Sequence, residues 1–363
     1  MRPAAGVRGS CPDGIFERVS TDPTPPRSEA DLEERLSRPT PADTAAIAVL
    51  EGDLVILGAG GKMGPSLARL ARRASDEAGR GRRVIAVSRF RQAGLADELG
   101  RQGIEPVVCD LLDPVALEDL PDAANVVFMA GQKFGTAGDP TRTWALNAYL
   151  PTIVMRRFAG ARVVVFSTGN VYPLVPVASG GSREDDPVGP VGEYAQSALA
   201  RERLVSFLGP LNGTPATILR LNYAVELRYG VLRDLADRIL AHQPLDLTTG
   251  WVNVLWQRDA NAIALQSLAR CDIPPFVLNV TGPEVLRVRD VAQRIGARLG
   301  LEPQFVGTEA DTALLSNASR CQTLFGPPSV DALTLCDWVA DWVRAGGRSL
   351  GKPTHFDERG GVY

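Results

Sequence analysis

Short apolar runs alternate along the chain with longer stretches whose apolar residues recur at helical spacing. The runs are Leu54–Gly58, Val84–Val87, Pro106–Cys109, Val126–Ala130, Val163–Phe166 and Thr217–Leu221. Between them Pro65–Ala78, Gly94–Gln102, Thr141–Ala159 and Glu193–Phe207 read as amphipathic helices. A β-branched run without polar alternation is a strand covered on both faces. A helix between two such runs is a crossover connection. The pattern therefore predicts an α/β fold built on a doubly wound parallel sheet.

After Asn222 the rhythm loosens. Gly230–His242, Asp259–Arg270 and Val288–Leu299 are expected helices and Phe276–Val280 an expected strand, together a smaller C-terminal α/β region. Trp338 and Trp342, at i and i+4, put two aromatic side chains on one helix face. Ahead of the sheet, Ser28 followed by Glu29 and Asp31 opens like a capped helix, and Pro41–Leu50 gives a second one. Residues 1–28, rich in Pro, Arg, Ser and Asp, predict disorder or a loose strap. The chain divides into an extension over 1–50, a sheet domain over 51–221, a second region over 222–345 and a tail over 346–363.

Composition narrows the possibilities. Apolar residues make up 45% of the 363 and charged residues 22%, ordinary for a globular protein. A net charge of −3 argues against a nucleic-acid or membrane-surface partner. No apolar run is long enough to span a bilayer and the N-terminus carries no signal-type core, so a cytoplasmic protein is expected. The five cysteines form no CxxC pair and read as free thiols. Only Lys62, Lys133 and Lys352 among the 39 basic residues are lysine, and only His242 and His355 are histidine. Lysine chemistry thus has three candidates. Histidine chemistry has two, and no metal site is expected.

Leu54–Gly64 joins the first strand to a helix through Gly58, Gly60, Gly61, Lys62, Met63 and Gly64. Glycines there let the backbone approach a pyrophosphate, and the helix N-terminus that follows presents N–H groups and a positive dipole end. A strand–loop–helix in this order points to a dinucleotide site in a Rossmann sheet. The second strand ends in Ser88 and Arg89, where an NAD site usually places an acid. A cation there suits a 2′-phosphate, which favours NADP over NAD. Asp110, with Leu111 beside it, falls where it would accept from the adenine amine.

Taken in order, these landmarks resemble the extended short-chain dehydrogenase/reductase family, the NAD(P)-dependent sugar epimerases and dehydratases. The resemblance runs from about Leu54 to Trp342. It adds Ala130 and Gly131 after the fourth strand, Asn147 in mid-helix, Ser167-Thr168 on the fifth strand, Tyr194, and Glu202 beyond it. It implies a Rossmann sheet with a smaller C-terminal substrate-binding domain and hydride transfer on a sugar or nucleotide sugar. Tyr194 would be the proton carrier and Thr168 its partner. Ser167, Asn170, Asn222, Tyr223 and Arg228 would lie toward the substrate, with Lys62, Asn147 and the glycines toward the cofactor. By the same analogy, Thr141–Ala159 and Glu193–Phe207 would pair two copies into a homodimer.

One departure stands out. The family places a lysine four residues after the tyrosine, to lower the phenol's pKa and hold the nicotinamide ribose. Here that position is Ala198, and no lysine lies between Lys133 and Lys352. Lys133, after the fourth strand, is the stand-in we expect. Arg201, seven residues past Tyr194, shares its helix face but is expected to be exposed. The alternatives are a dinucleotide- or sugar-binding protein without fast turnover, and a lyase or isomerase that keeps its cofactor. Gly169 and Asn170 replace the acid pair usual in dehydratases, which speaks against dehydration.

Overall fold

Each apolar run becomes a strand of one sheet in a computed structural model that describes residues 24–136 and 138–362. Most of the expected N-terminal strap lies outside the described residues. The strands are β1 (Leu54–Leu57), β2 (Val84–Ser88), β3 (Glu105–Val108), β4 (Asn125–Phe128), β5 (Arg162–Thr168), β6 (Ala216–Leu221) and β7 (Phe276–Val280). They lie in the order β7-β6-β5-β4-β1-β2-β3, every pair parallel. The last strand comes from beyond residue 221, so the sheet reaches into the stretch read as the second region.

The unbroken apolar runs are explained by packing on both faces. In β1, Leu54 and Ile56 enter one core while Val55 and Leu57 enter the other. The first face is covered by α3 (Gly64–Glu77), α4 (Leu95–Arg101) and α10 (Gln257–Ser267). The second is covered by α5 (Pro114–Glu118), α7 (Leu150–Arg157) and α8 (Gly192–Asn212). The helix expected over Thr141–Ala159 is not uniform. A short α6 (Pro140–Trp144) passes through a π-turn at Ala145–Tyr149 into α7. Pro151, which has no N–H to give the helical ladder, stands at the start of α7, where such a turn is favoured.

The N-terminal helices add a layer over α3 and α10. In α1 (Glu29–Ser37), Ser28 accepts from the Asp31 N–H at 3.1 Å as the expected cap. In α2 (Pro41–Ala48), Thr40 and Asp43 cap each other's backbone. Asp43 is fully buried and anchors the layer by accepting from Arg258 at 2.5 Å and Gln266 at 2.7 Å. Leu32 and Leu36 of α1 enter the C-terminal core with α9 (Val231–Leu240), α11 (Val288–Leu299) and α13 (Ala332–Arg344). Trp338 of α13 stands edge-on to Trp256 at 5.9 Å, and Trp342 is buried beside it. None of the described helices is long and apolar enough to cross a membrane.

Candidate active site

The glycine loop lies at the carboxyl edge of the sheet, where open α/β folds hold ligands. Gly58 has φ +93°, and a Cβ there would stand 2.8 Å from the Ala130 nitrogen, so only glycine lets β1 and β4 end so close together. Met63 precedes α3 with no side chain capping the helix. A helix start without a side-chain cap is compatible with a phosphate there. At the adjoining strand ends, the Arg89 guanidinium lies 3.5 Å from Asp110, both half-exposed. Asp110 also accepts from the Leu112 N–H, and Leu111 is buried in the core.

A cavity of about 270 Å³ opens beside this loop, lined in part by Gly58, Gly61, Lys62 and Met63. Across it, Thr168 at the end of β5 shares a hydrogen bond with the Tyr194 phenol in the first turn of α8. Thr168 is held in turn by Asn170, donating to its Oδ1 at 2.9 Å and accepting from its N–H at 3.1 Å. Burial raises the Tyr194 pKa, while the Thr168 bond and the charge of Arg201 pull it the other way. Ser167, Asn222 and Tyr223 complete the wall, with Ser167 turned to Glu202 at 2.5 Å. Tyr223 has φ +47°, a strained backbone for a bulky residue of the kind that collects at functional sites.

Both pocket lysines point inward. The Lys133 amine donates to the Thr354 carbonyl at 3.4 Å and lies 6.0 Å from the centre of the Tyr194 ring. Desolvation lowers its pKa to about 8. Lys62, which the resemblance places toward the cofactor, donates within the cavity to the Ala224 carbonyl at 2.9 Å, and desolvation lowers it to about 7. Thr354 had no signal in the sequence. It reaches the pocket because the tail folds back, its N–H and hydroxyl donating to Asp234 at 2.7 and 2.5 Å.

Three expectations are corrected by packing. Arg201 is buried, not exposed, because α8 turns that face onto the sheet end, where backbone carbonyls await its guanidinium. Arg228 does not line the pocket. Glu226 at 3.1 Å, Glu33 at 2.7 Å and Glu29 at 3.5 Å draw it toward α1, into an adjoining groove of about 780 Å³ that shares Gly61 and Lys62 with the pocket. Asn147 sits fully buried in the π-turn. Its Oδ1 accepts from the Gln132 N–H at 2.9 Å, and its Nδ2 donates to the Gln132 carbonyl at 2.8 Å and to Ser197 at 3.0 Å. It therefore ties the segment after Gly131 to α8 and does not face the cavity.

Residues 54–242, just over half of the chain, match the model of the NAD dependent epimerase/dehydratase family. No curated protein sequence matches. Among solved structures, WbmG of Bordetella bronchiseptica in complex with NAD is 21% identical, with a TM-score of 0.68 over 84% of this chain and 98% of its own. MoeE5 in complex with UDP-glucuronic acid and NAD is 20% identical, with a TM-score of 0.67 over 81% and 100%. UDP-glucose 4-epimerase of Thermotoga maritima with UDP-glucose is 16% identical, with a TM-score of 0.66 over 81% and 99%. At these identities the likeness carries the fold alone. The chain belongs to the NAD-dependent epimerase/dehydratase family.

Proposed function

We propose that the protein is a nucleotide-sugar epimerase or oxidoreductase that works by hydride transfer at a hydroxyl-bearing carbon. One observation carries this reading: a single cavity is lined both by the glycine loop and by the hydrogen-bonded Thr168–Tyr194 pair. The loop fits a dinucleotide through its close approach at Gly58 and the uncapped start of α3. When bound, the nicotinamide supplies hydride acceptance and return. The chain's own residues handle the proton. Tyr194 takes it from the substrate hydroxyl, or returns it to the carbonyl, at the phenolic oxygen, and Thr168 fixes where that oxygen sits. Asn170, Asn222 and Tyr223 border the same space and orient sugar hydroxyls, while Lys133 and Lys62 bring positive charge to it. Neither Gly169 nor Asn170 has an acidic proton for a leaving hydroxyl, so epimerisation or oxidoreduction is favoured over dehydration.

Arg89, accessible at the end of β2, supports NADP as the cofactor. Trp144, Tyr149, Phe207 and Leu211 expose apolar surface along α6 to α8, which we assign to a second copy of the chain. The described cysteines are free thiols, in keeping with a reducing cytoplasm. Mass analysis of ligand released from the purified protein, with turnover of UDP-sugars, tests the reading. A nicotinamide dinucleotide and a loss of at least ~100-fold on Tyr194→Phe are expected. A protein that takes up neither NAD nor NADP would overturn it.

A further inference from the structure

Behind the pocket lies a buried positive charge whose three hydrogen bonds all go to neutral oxygens. Arg201 is 6% exposed. Its Nε donates to the Asn147 carbonyl at 3.1 Å, its Nη1 to the Phe166 carbonyl at 2.5 Å and its Nη2 to the Asn147 Oδ1 at 2.9 Å. The adjacent carboxylate is engaged elsewhere. Glu202 accepts from Arg220 Nη2 at 2.8 Å and from the Ser167 hydroxyl at 2.5 Å. That carboxylate is bonded to Arg220 and supports the Arg201 charge only through space, as Tyr194 also does.

What surrounds Arg201 is the frame of the candidate site. Phe166 is two residues before Thr168 on β5. Asn147 holds the segment after β4 and, through Ser197, the helix that carries Tyr194; Ser197 donates to the Tyr194 carbonyl at 2.9 Å. Gly131 leaves the guanidinium its space, since a Cβ there would stand 2.7 Å from Nη2. We propose that Arg201 is the positioning residue of this site: it locks the ends of β4 and β5 against α8 and presents Tyr194 with a fixed positive charge. This role follows from reading Tyr194 as the proton carrier.

The groups that face Tyr194 are Thr168 from β5, Lys133 from the segment after β4, Tyr229 from the segment after β6, and Arg201 from its own helix. Lys133 loses its proton near pH 8, whereas Arg201, although burial lowers its pKa, is a guanidinium and keeps its charge over the range in which a phenol titrates. Arg201 is therefore the constant source of positive potential at the phenol. It works against the burial that favours the neutral form.

An ultraviolet difference titration tests the assignment without substrate or cofactor. The protein has six tyrosines, so the signal of Tyr194 is taken as the parent minus Tyr194→Phe. Each further variant is likewise read against its own Tyr194→Phe double. Arg201→Met is expected to raise the Tyr194 midpoint by about one pH unit. Arg201→Lys, which keeps the charge but not the fork of hydrogen bonds, is expected to return it most of the way. Lys133→Met should move it far less. Should Arg201→Met fail to fold, Arg201→Lys and Gly131→Ala, which crowds the guanidinium out of its seat, give the same reading. Gly131→Ala is then expected to raise the midpoint and Arg201→Lys to stay near the parent.

An unmoved midpoint in Arg201→Met or, in its place, in Gly131→Ala overturns the proposal. So does an Arg201→Lys protein displaced as far as Arg201→Met, because a merely structural role would not distinguish a lysine from a methionine. A moved midpoint together with unimpaired UDP-sugar turnover in Tyr194→Phe would uphold the electrostatic role of Arg201 while rejecting Tyr194 as the proton carrier.

Discussion

The Lys62 amine lies 3.7 Å from the centre of the Tyr229 ring and donates to the Ala224 carbonyl next to it. A residue of the glycine loop is thereby tied to the segment that follows β6. The ring face and the carbonyl are both weak substitutes for water around an ammonium, and burial lowers the amine to about 7. Glu226 and Asp234 raise it in part, while Arg228 and Lys133 push it lower.

A pH dependence follows. With Lys62 near 7 and Lys133 near 8, both amines are largely neutral at about pH 9 and largely protonated at about pH 6. Only the protonated forms attract an anion. The affinity for NAD, whose diphosphate keeps its charge over this range, is expected to rise roughly tenfold between about pH 9 and about pH 6, with net proton uptake on binding. Calorimetry in two buffers of different ionisation enthalpy measures both quantities. Lys62→Met should remove the lower part of the rise, around pH 7, and leave the part near pH 8 due to Lys133; a profile unchanged in that variant would remove Lys62 from the anion site.

The Glu202–Arg220 pair is the structural counterweight to the site. Arg220 meets Glu202 through Nε and Nη2 at 2.8–3.1 Å, and its Nη1 donates to the Tyr172 hydroxyl at 2.7 Å. Tyr172 donates onward to Asn279 Oδ1 on β7 at 2.8 Å. Breaking one side of a buried pair strands the other charge, so Glu202→Gln is expected to lower unfolding free energy by about 3 kcal/mol. Urea denaturation checks this, and a loss under about 1 kcal/mol would mean the pair adds little beyond its hydrogen bonds.

The parts that were legible in the sequence are those set by local pattern. All six expected strands and the edge strand at Phe276–Val280 were visible because burial on both faces leaves an unbroken apolar run. Thr168 and Tyr194 were legible through the family resemblance, which rests on the short motifs around them and not on the apolar pattern. The parts not legible depend on partners far along the chain. Arg201 lies 54 residues from Asn147 and 35 from Phe166. Its one local signal is that Ala198, Arg201 and Val205 fall on a single helical stripe, which places it on the buried face. Thr354 enters the pocket from the tail, and Arg228 is captured by Glu33 from α1, 195 positions earlier in the chain. No local spacing encodes either contact.

Cofactor preference turns on one side chain. Arg89 stands beside Asp110 at 3.5 Å, and a 2′-phosphate would compete with that carboxylate for the guanidinium. Arg89→Ala is expected to weaken NADP binding about tenfold while changing NAD binding less than about twofold. Calorimetric titration of both dinucleotides against both proteins decides it. Tighter binding of NAD than of NADP by the parent protein would refute the preference, and would mean that Asp110 dominates this end of the site.

The exposed apolar face of α8 gives a final test. Phe207 and Leu211 are 65% and 66% exposed, one helical turn apart, and Tyr149 on the neighbouring π-turn is 53% exposed. A self-complementary patch of this kind suits a two-fold contact, in which each residue is used twice. Phe207→Glu places two new charges in such an interface and is expected to convert a dimer to a monomer in sedimentation velocity, with the fold unchanged by circular dichroism. Because Phe207 lies on the outer face of α8, away from Arg201 and Tyr194 on its buried side, dinucleotide binding should persist in the monomer. A parent protein that sediments as a monomer at tens of micromolar would rule out this assignment of the surface.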